Sequence, residues 1–258
     1  INVAESRAKK TVESPMIAKA VLQAINDLSH SKRPVESFQQ TLVLGYGSIG
    51  EAIVGELTAI KKINDQTIWI HDVDPLRLEA GKARGINCWG DRRSEKADLV
   101  IGCSGNVSFI PEDVGWLADG ALIVSAGSGS IEVSRDLFLQ GKHGVKLQHN
   151  AIGSDLIPVK DMHADLRFKT DDVQFTIANG GFPVNFDGRK TDRIPLRDIQ
   201  VTAALMVNGA LQAVETGHTG LLEVDEVFEN WLIKTMSRQG GETVPKQQSK
   251  RPPLSRNK

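Results

Sequence analysis

Cysteine is scarce in this chain: only Cys88 and Cys103 occur among 258 residues. Two cysteines cannot supply the disulfide framework of a small secreted domain, and both lie in or beside segments that we expect to be strands. Each is therefore expected to pack as a small hydrophobic side chain. This usage is typical of a reducing compartment, and the sequence contains no secretory signal. The expected location is the cytoplasm.

The chain also lacks a long apolar run and an excess of charge. No stretch approaches the ~20 apolar residues of a membrane-spanning helix, and 31 basic residues balance 32 acidic ones to leave a net charge of −1. Neither a membrane nor a nucleic acid is expected as a partner. The histidines, His71 among them, show no metal-ligand spacing and are expected to be surface or structural residues, so we expect no metal site.

What the chain does contain is a short apolar segment that runs into a glycine cluster. Residues 41–50 read Thr-Leu-Val-Leu-Gly-Tyr-Gly-Ser-Ile-Gly, which predicts a buried strand, a tight turn and a helix start. Gly45 permits the turn, Gly47 leaves room for a pyrophosphate, and Gly50 lets the helix pack closely on the strand. The first helical residues, Ser48 and Ile49, would offer backbone N–H groups to the phosphates.

An acidic residue follows at a suitable distance. Residues 68–72, Ile-Trp-Ile-His-Asp, form a second apolar segment that ends about 20 residues after the glycines. Asp72 would accept hydrogen bonds from the adenosine ribose and repel a 2′-phosphate, which favours NAD over NADP. Arg77 is expected beside the same cofactor. The combination predicts NAD binding, and the alternative is a glycine turn without a ligand.

The pattern up to residue 139 alternates between strands and helices, which predicts an α/β fold with a doubly wound, mostly parallel sheet of Rossmann type. Helices are expected at its amino and carboxy ends, with a small antiparallel β region after the fifth strand. The expected segments are helix 7–29, strand 41–44, helix 49–60, strand 67–71, helix 76–83, a short strand near 86–89, strand 97–103, helix 111–117, strand 121–125 and helix 133–139.

After residue 144 the pattern alternates with period two, which is typical of antiparallel strands. The expected strands are 145–149, 166–169, 173–178 and 182–185, with turns at 170–172 and 179–181. Two helices, 197–215 and 224–236, should follow. We divide the chain into an amino-terminal helix and hinge (1–33), an NAD-binding domain (34–236) and a disordered basic tail (237–258).

Small and polar residues at strand ends are the further candidates for cofactor contacts. They are Ser104, Gly105 and Asn106 after the fourth strand, Ala126, Gly127 and Ser128 after the fifth, and Asn185 after a later apolar run. An amide such as that of Asn185 would hydrogen-bond the nicotinamide carboxamide. For residues 104–106, an ordinary Gly/Asn turn remains the alternative.

Lys9 and Glu13 stand four residues apart on the first predicted helix. Spacing alone indicates a surface ion pair worth a few tenths of a kcal/mol. Taken by itself, the pair points to no chemistry.

Six segments in chain order resemble the NAD-binding portion of adenosylhomocysteinase (S-adenosylhomocysteine hydrolase), from residue 1 to about residue 215. Each is modest alone, but their shared order is hard to obtain by chance. They are Ile1-Asn-Val with Ser6, Lys9 and Glu13; the glycine cluster 45–50; His71-Asp-Val-Asp-Pro75; the Gly105-Asn106 turn; residues 126–133; and residues 181–186.

The resemblance implies a tightly held NAD that acts as an internal redox cofactor on a nucleoside-type, adenosyl substrate. In that family the 3′-hydroxyl is oxidised, homocysteine is eliminated, water adds and the ketone is reduced again. Lys9 and Glu13 then fall at the substrate ribose hydroxyls as candidate catalytic residues, and Asp72, Asn106 and Asn185 fall on NAD contacts. A homo-oligomer is also implied.

The chain departs from that family at several positions. Ser128 replaces a histidine, Asp192-Arg-Ile-Pro195 replaces a Gly-His-Pro motif, and Glu13-Ser14 replaces an Asp-Asn pair. The family's carboxy-terminal Lys…Tyr tail is missing from residues 237–258, and its substrate domain would precede Ile1. We therefore expect the chain to be a portion of a longer protein and to be inactive as a hydrolase on its own.

Three functions follow from these features. The first is the cofactor half of an adenosylhomocysteinase-like protein whose other half recognises the substrate. The second is a non-catalytic NAD(H)-binding module with a regulatory or scaffolding role. The third, a stand-alone dehydrogenase, is the least favoured, because the strand ends offer Ser, Gly and Asn where such enzymes place an arginine and a His/acid pair.

Overall fold

The computed structural model describes residues 1–28, 33–61, 67–90, 95–127, 132–138, 146–147, 163–186 and 196–239. Within these ranges the strands form one eight-stranded sheet in the order β3-β2-β1-β4-β5-β8-β7-β6. The strands are β1 Gln40–Leu44, β2 Thr67–His71, β3 Asn87–Cys88, β4 Ala97–Gly102, β5 Leu117–Ser125, β6 Lys146–Leu147, β7 Leu166–Lys169 and β8 Gln174–Ile177. The predicted α/β fold with a doubly wound, mostly parallel sheet is confirmed.

The helices agree with the sequence periodicity to within a few residues. They are α1 Ser14–Asp27, α2 Ser48–Lys61, α3 Pro75–Ala83, α4 Leu196–Thr216 and α5 Glu226–Gln239. A π-helical turn, Lys9–Glu13, precedes α1, and the predicted helices near 111–117 and 133–139 are the 3-10 turns Pro111–Trp116 and Arg135–Phe138. Asp74 caps α3 by accepting a hydrogen bond from the N–H of Leu76, with proline at the first helical position, a combination that favours a sharp helix start.

The central strands are apolar on both faces because both faces are covered. Along β1, Val43 packs into the cluster that α1 and α2 complete. Leu42 and Leu44 point to the other face, where Phe109 and Leu137 belong to the same core cluster. The helices α1, α2 and α3 therefore lie on one side of the sheet, and the 3-10 turns Pro111–Trp116 and Arg135–Phe138 lie on the other.

The strand order reverses between β1 and β4. Both β2 and β4 pair in parallel with β1, one on each side of it. The chain therefore builds the sheet outward from β1 first in one direction and then in the other. In open parallel sheets the crevice at such a point, outside the carboxyl ends of the strands, is the usual ligand site. The carboxyl ends of β1, β2, β4 and β5 meet at this edge.

The region after β5 differs from the expectation. β8 joins the main sheet in parallel with β5, and only β7 and β6 run antiparallel to their neighbours, with the predicted turn at 170–172 between β7 and β8. The predicted strand 182–185 is wrong: its last residues form the 3-10 turn Val184–Phe186. Asn179 and Gly180 adopt left-handed backbone angles (φ 53° and 60°), and the Asn179 amide donates to the carbonyls of Phe182 and Pro183, which closes the chain into a turn instead of a hairpin.

The amino-terminal residues pack with the two last helices in a separate apolar cluster. Ala8 is buried with Val201 and Leu205 of α4 and Leu232 of α5. α5 continues to Gln239, so the first three residues of the expected tail are helical, and residues 240–258 lie outside the described ranges. None of the described helices combines the length and apolarity that crossing a membrane requires.

Helix α2 lies directly on the end of β1. A Cβ atom on Gly50 would come within 2.0 Å of the Gly45 carbonyl oxygen, far inside van der Waals contact. Gly55, five residues further along the exposed side of the same helix, has nothing within 4 Å of an added Cβ atom. Gly50 therefore has no room for a methyl group, whereas Gly55 does.

Replacement of Gly50 by alanine should destabilise the fold by more than about 2 kcal/mol, because the helix must move off the strand. Gly55→Ala should instead stabilise it by about 0.5–1 kcal/mol, the usual gain for a helix interior. Urea unfolding of both variants checks the pair. Equal effects of the two substitutions would contradict the proposed packing.

Candidate functional site

The glycine loop joins β1 to α2 at the point of strand-order reversal. Gly45 has φ +95°, and a Cβ atom on it would lie 2.6 Å from the Cα of Ser104 in the neighbouring turn. A Cβ atom on Gly47 would approach an Nη1 of Arg77 to 3.2 Å. α2 begins at Ser48, so Ser48 and Ile49 form the first turn, where backbone N–H groups lack partners inside the helix. The loop therefore offers a bare backbone and a nearby guanidinium.

Asp72 lies buried at the end of β2, and backbone N–H groups hold both of its oxygens. The N–H of Tyr46 in the glycine loop donates to Oδ2 at 2.6 Å, and the N–H of Asp74 donates to Oδ1 at 2.9 Å. The Arg77 guanidinium lies 3.5 Å from Oδ2. Burial opposes ionisation of Asp72, but the Asp74 and Tyr46 N–H groups and Arg77 together hold its pKa below the ordinary value. A carboxylate can accept about four hydrogen bonds, so capacity remains for a ligand hydroxyl.

A buried glutamate that the sequence reasoning missed shapes the turn after β4. Glu132 Oε2 lies 2.7 Å from the hydroxyls of Ser104 and Ser108, and the N–H of Gly105 donates to Oε1 at 2.7 Å. The backbone carbonyl of Glu132 also accepts from the N–H of Ser108. The sequence does show an acid between the apolar residues Ile131 and Val133, a position where burial is expected. A buried carboxylate there needs hydrogen-bond donors, and the turn after β4 supplies them. Ser104, Gly105 and Asn106 themselves are exposed at the carboxyl edge.

Cys103 lies beneath the glycine loop. Its Sγ donates to the carbonyl of Gly45 at 3.1 Å and lies 3.4 Å from the Leu44 carbonyl oxygen. Burial raises the pKa of this thiol, and the charges of Glu132 and Asp72 raise it further. The residue thus packs as a small hydrophobe, as expected from the sequence.

The candidates after β5 lie beside the same edge. Ala126 is buried, and its N–H donates to the Gly102 carbonyl at 2.7 Å, next to Gly127. Ser128 lies outside the described residues. Asn185 is buried, and neither its Nδ2 nor its Oδ1 has a hydrogen-bond partner within the described part of the chain. Ser125 Oγ is unpaired in the same way, and Ser125 forms an isolated bridge with Pro183.

A cleft of about 540 Å³ opens along the edge from Gly45 past Asp72, within the size range of small-molecule sites. Its lining includes Arg77, Ser104 and Asn106 from the predicted set. It also includes His71, Asp113 and Trp116, which sequence reasoning did not assign to a site. In the described ranges, no three His, Cys, Asp or Glu side chains gather as a metal site requires.

Lys9 and Glu13 are not among the residues that line this cleft. Lys9 Nζ lies 3.4 Å from Glu13 Oε1, and the Thr202 hydroxyl on α4 donates to Glu13 Oε2. Both residues are largely shielded from solvent, and their π-helical turn leads into α1, which packs against the turn that carries Asn185. The pair is therefore part of a helix contact and not a freely solvated surface pair.

Glu132→Gln should lower the free energy of unfolding by about 1–3 kcal/mol, because the new amide presents N–H groups to donors that need acceptors. Hydrogen exchange at the Gly105 amide should also become faster. Denaturant unfolding and exchange mass spectrometry measure the two effects. Glu79→Gln on the exposed side of α3 removes the same charge and should change stability by less than about 0.5 kcal/mol; equal behaviour of the two variants would refute the role of Glu132.

No protein-family model matches this chain. Two uncharacterized proteins of Mycobacterium tuberculosis, from strains CDC 1551 / Oshkosh and H37Rv, are 28% identical to it over 242 residues. The match covers 90% of this chain but 42% of each relative. The chain thus spans about two fifths of the length of these curated relatives.

Among solved structures, the L-tryptophan dehydrogenase from Nostoc punctiforme superposes with a TM-score of 0.43 at 12% identity, covering 88% of this chain and 60% of that one. A dipicolinate synthase component from Bacillus halodurans superposes with a TM-score of 0.38 at 12% identity, covering 50% and 43%.

Proposed function

We propose that this chain holds NAD across the carboxyl edge of its sheet, as the cofactor domain of an adenosylhomocysteinase-like protein that acts on an adenosyl-type substrate. The observation that carries the proposal is the buried amide of Asn185, which has no hydrogen-bond partner among the described residues and lies at the same edge as the glycine loop and Asp72. An unpaired buried amide destabilises a fold unless a ligand completes it.

The glycine-loop end fits the adenosine half of a dinucleotide. The pyrophosphate would lie over Gly47, against the N–H groups of Ser48 and Ile49 at the start of α2 and near Arg77. Asp72 would accept the ribose hydroxyls. Because its pKa is held low, it is ionised at neutral pH and disfavours a 2′-phosphate. This charge supports NAD over NADP.

Asn185 fits the other half. Pro183 extends the strand order one place beyond β5, so Asn185 lies about four strand spacings from β2, or roughly 19 Å at 4.8 Å per strand. An extended dinucleotide reaches over a comparable distance. The amide offers a donor and an acceptor, which match the acceptor and donor of a carboxamide. Ser104 and Asn106 would line the ribose between the two ends, next to Ala126 and Gly127.

The substrate part of the proposal rests on the resemblance and on Lys9 with Glu13. Bound NAD would accept a hydride from the substrate and return it. A lysine near a ribose hydroxyl can lower the pKa of that hydroxyl or relay its proton, and a carboxylate beside it can take the proton on. The residues that bind the substrate would lie outside this chain. We also propose a homo-oligomer. Helix α4 could contribute to a subunit contact through its exposed apolar side chains, which are Met206, Val207, Leu211 and Val214.

A second candidate, a non-catalytic NAD(H)-binding module, is favoured by one specific observation. Both carboxylate oxygens of Glu13 already have partners inside the protein, Lys9 and Thr202. A proton acceptor held in this way has to exchange a partner before it can work. Such an ion pair can equally serve to fix the first helix against α4.

Asn185→Leu should separate binding from stability. Removal of the unpaired amide should leave the ligand-free protein as stable or more stable by about 1 kcal/mol, while the affinity for NAD falls at least tenfold. Wild-type protein should bind NAD more tightly than NADP. Calorimetric titration and thermal unfolding of stripped protein measure both quantities.

Asn26→Leu is the matched control for that variant. The side-chain carbonyl of Asn26 accepts a 2.7 Å hydrogen bond from the N–H of Val35, away from the carboxyl edge. Its loss should therefore lower stability and leave the NAD affinity unchanged. No NAD binding by wild-type protein, together with no dinucleotide in the material released on denaturation, would refute the proposed function.

Reduction of the bound cofactor distinguishes the two candidates. In the longer protein, addition of adenosine or S-adenosylhomocysteine should produce the absorbance of reduced nicotinamide if NAD is an internal redox cofactor. A Lys9→Met variant of that protein should lose this signal and keep its bound NAD. A cofactor that stays oxidised with both compounds would favour the non-catalytic module.

A further inference from the structure

The far end of the cleft, beyond Asp72, has features that the glycine loop does not explain. Three aliphatic side chains stand there with large exposed fractions: Val73 after β2 at 97%, and Val107 and Ile110 after β4 at 55% and 40%. They line the same cleft as Asp72. Exposed aliphatic side chains on both sides of a cleft are the usual walls for a flat apolar ring.

A buried carboxyl group lines the same cleft. Asp113, in the 3-10 turn Pro111–Trp116, is 8% exposed and lines the cleft. Its Oδ2 accepts a hydrogen bond from the N–H of Ile110 at 3.0 Å, which closes the turn. Among the described residues Oδ1 has no hydrogen-bond partner. Burial raises the pKa of Asp113, partly offset by the Ile110 N–H and by His71.

A second polar group at this end also lacks a partner. His71 packs its ring against Trp116, with centroids 5.8 Å apart. Its Nδ1 is buried without a hydrogen bond to any described residue. A helix-type cap accounts for one oxygen of Asp113 but not for its second oxygen or for the imidazole nitrogen. The buried His71 Nδ1 lacks a partner in the described part of the chain, and Oδ1 of the cleft-lining Asp113 is left to accept a hydrogen bond. Such groups beside an apolar slot suit a ligand that carries hydrogen-bonding groups on the edge of a ring.

We propose that Asp113 recognises the 6-amino group of a purine bound between Val73, Val107 and Ile110. This inference rests on the proposed dinucleotide site, and it assigns to Asp113 the selection of adenine over purines with a 6-oxo group. Oδ1 accepts the hydrogen bond of the amino group. A 6-oxo group would place a second acceptor against the carboxylate, which repels it.

Calorimetric titration of the wild-type protein with NAD and with nicotinamide hypoxanthine dinucleotide tests the inference without any substitution. The two ligands differ only at the purine edge, where an oxo group replaces the amino group and N1 gains a hydrogen. NAD should bind at least tenfold more tightly. Equal affinities would overturn the assignment of Asp113 and leave NAD binding intact, whereas binding of neither dinucleotide would overturn the proposed function and this inference with it.

Asp113→Asn should reverse the preference. The asparagine oxygen can still accept from the Ile110 N–H, which leaves its NH₂ group to donate to a 6-oxo group. The hypoxanthine dinucleotide should then bind as tightly as NAD or more tightly. Glu112→Gln removes one charge from the adjacent, exposed position of the same turn and should keep the wild-type preference. A folded Asp113→Asn variant that still prefers NAD tenfold would contradict the proposal.

Discussion

Two backbone segments, the glycine loop and the turn after β4, approach each other more closely than side chains permit. Gly45 lies against Ser104, and Gly50 presses the start of α2 onto the carbonyl of Gly45. Cβ atoms at these positions would separate α2 from β1 and β1 from the turn after β4. The N–H of Tyr46 would then lose its place against Asp72. The positions of Asp72 and of the amino-terminal end of α2 both depend on this contact.

Sequence patterns predicted the parts of the molecule that local chemistry determines. The glycine loop, the acid at the end of β2 and the length of α4 follow from residues close together in the chain. Glu132 could not be predicted in this way, because its partners Ser104 and Ser108 lie more than 20 residues earlier and only folding brings them together. The parallel pairing of β8 was missed for a related reason: period-two alternation does not distinguish a parallel neighbour from an antiparallel one. The closing of residues 179–183 depends on the amide of Asn179, a contact that no periodicity reports.

Buried carboxylates organise this edge of the sheet, each through backbone N–H groups. Asp72 ties the glycine loop to the loop after β2, Glu132 ties the turn after β4 to the segment after β5, and Asp113 closes the turn at 110–113. Backbone donors hold each acid in position, and Asp72 has the Arg77 guanidinium beside it as well. The edge therefore carries negative charge on loops that backbone hydrogen bonds hold in position. Under the proposed function, phosphate groups would instead meet the positive end of α2.

The thiol of Cys103 has a consequence for the stability of the site toward oxidants. Only the thiolate reacts readily with peroxides and alkylating reagents, and burial beneath Gly45 makes that form costly. Reaction would require the glycine loop to lift from β4. The rate of thiol modification in the folded protein would therefore report how often the loop opens, and a ligand that holds the loop down would protect a sulfur atom it never touches.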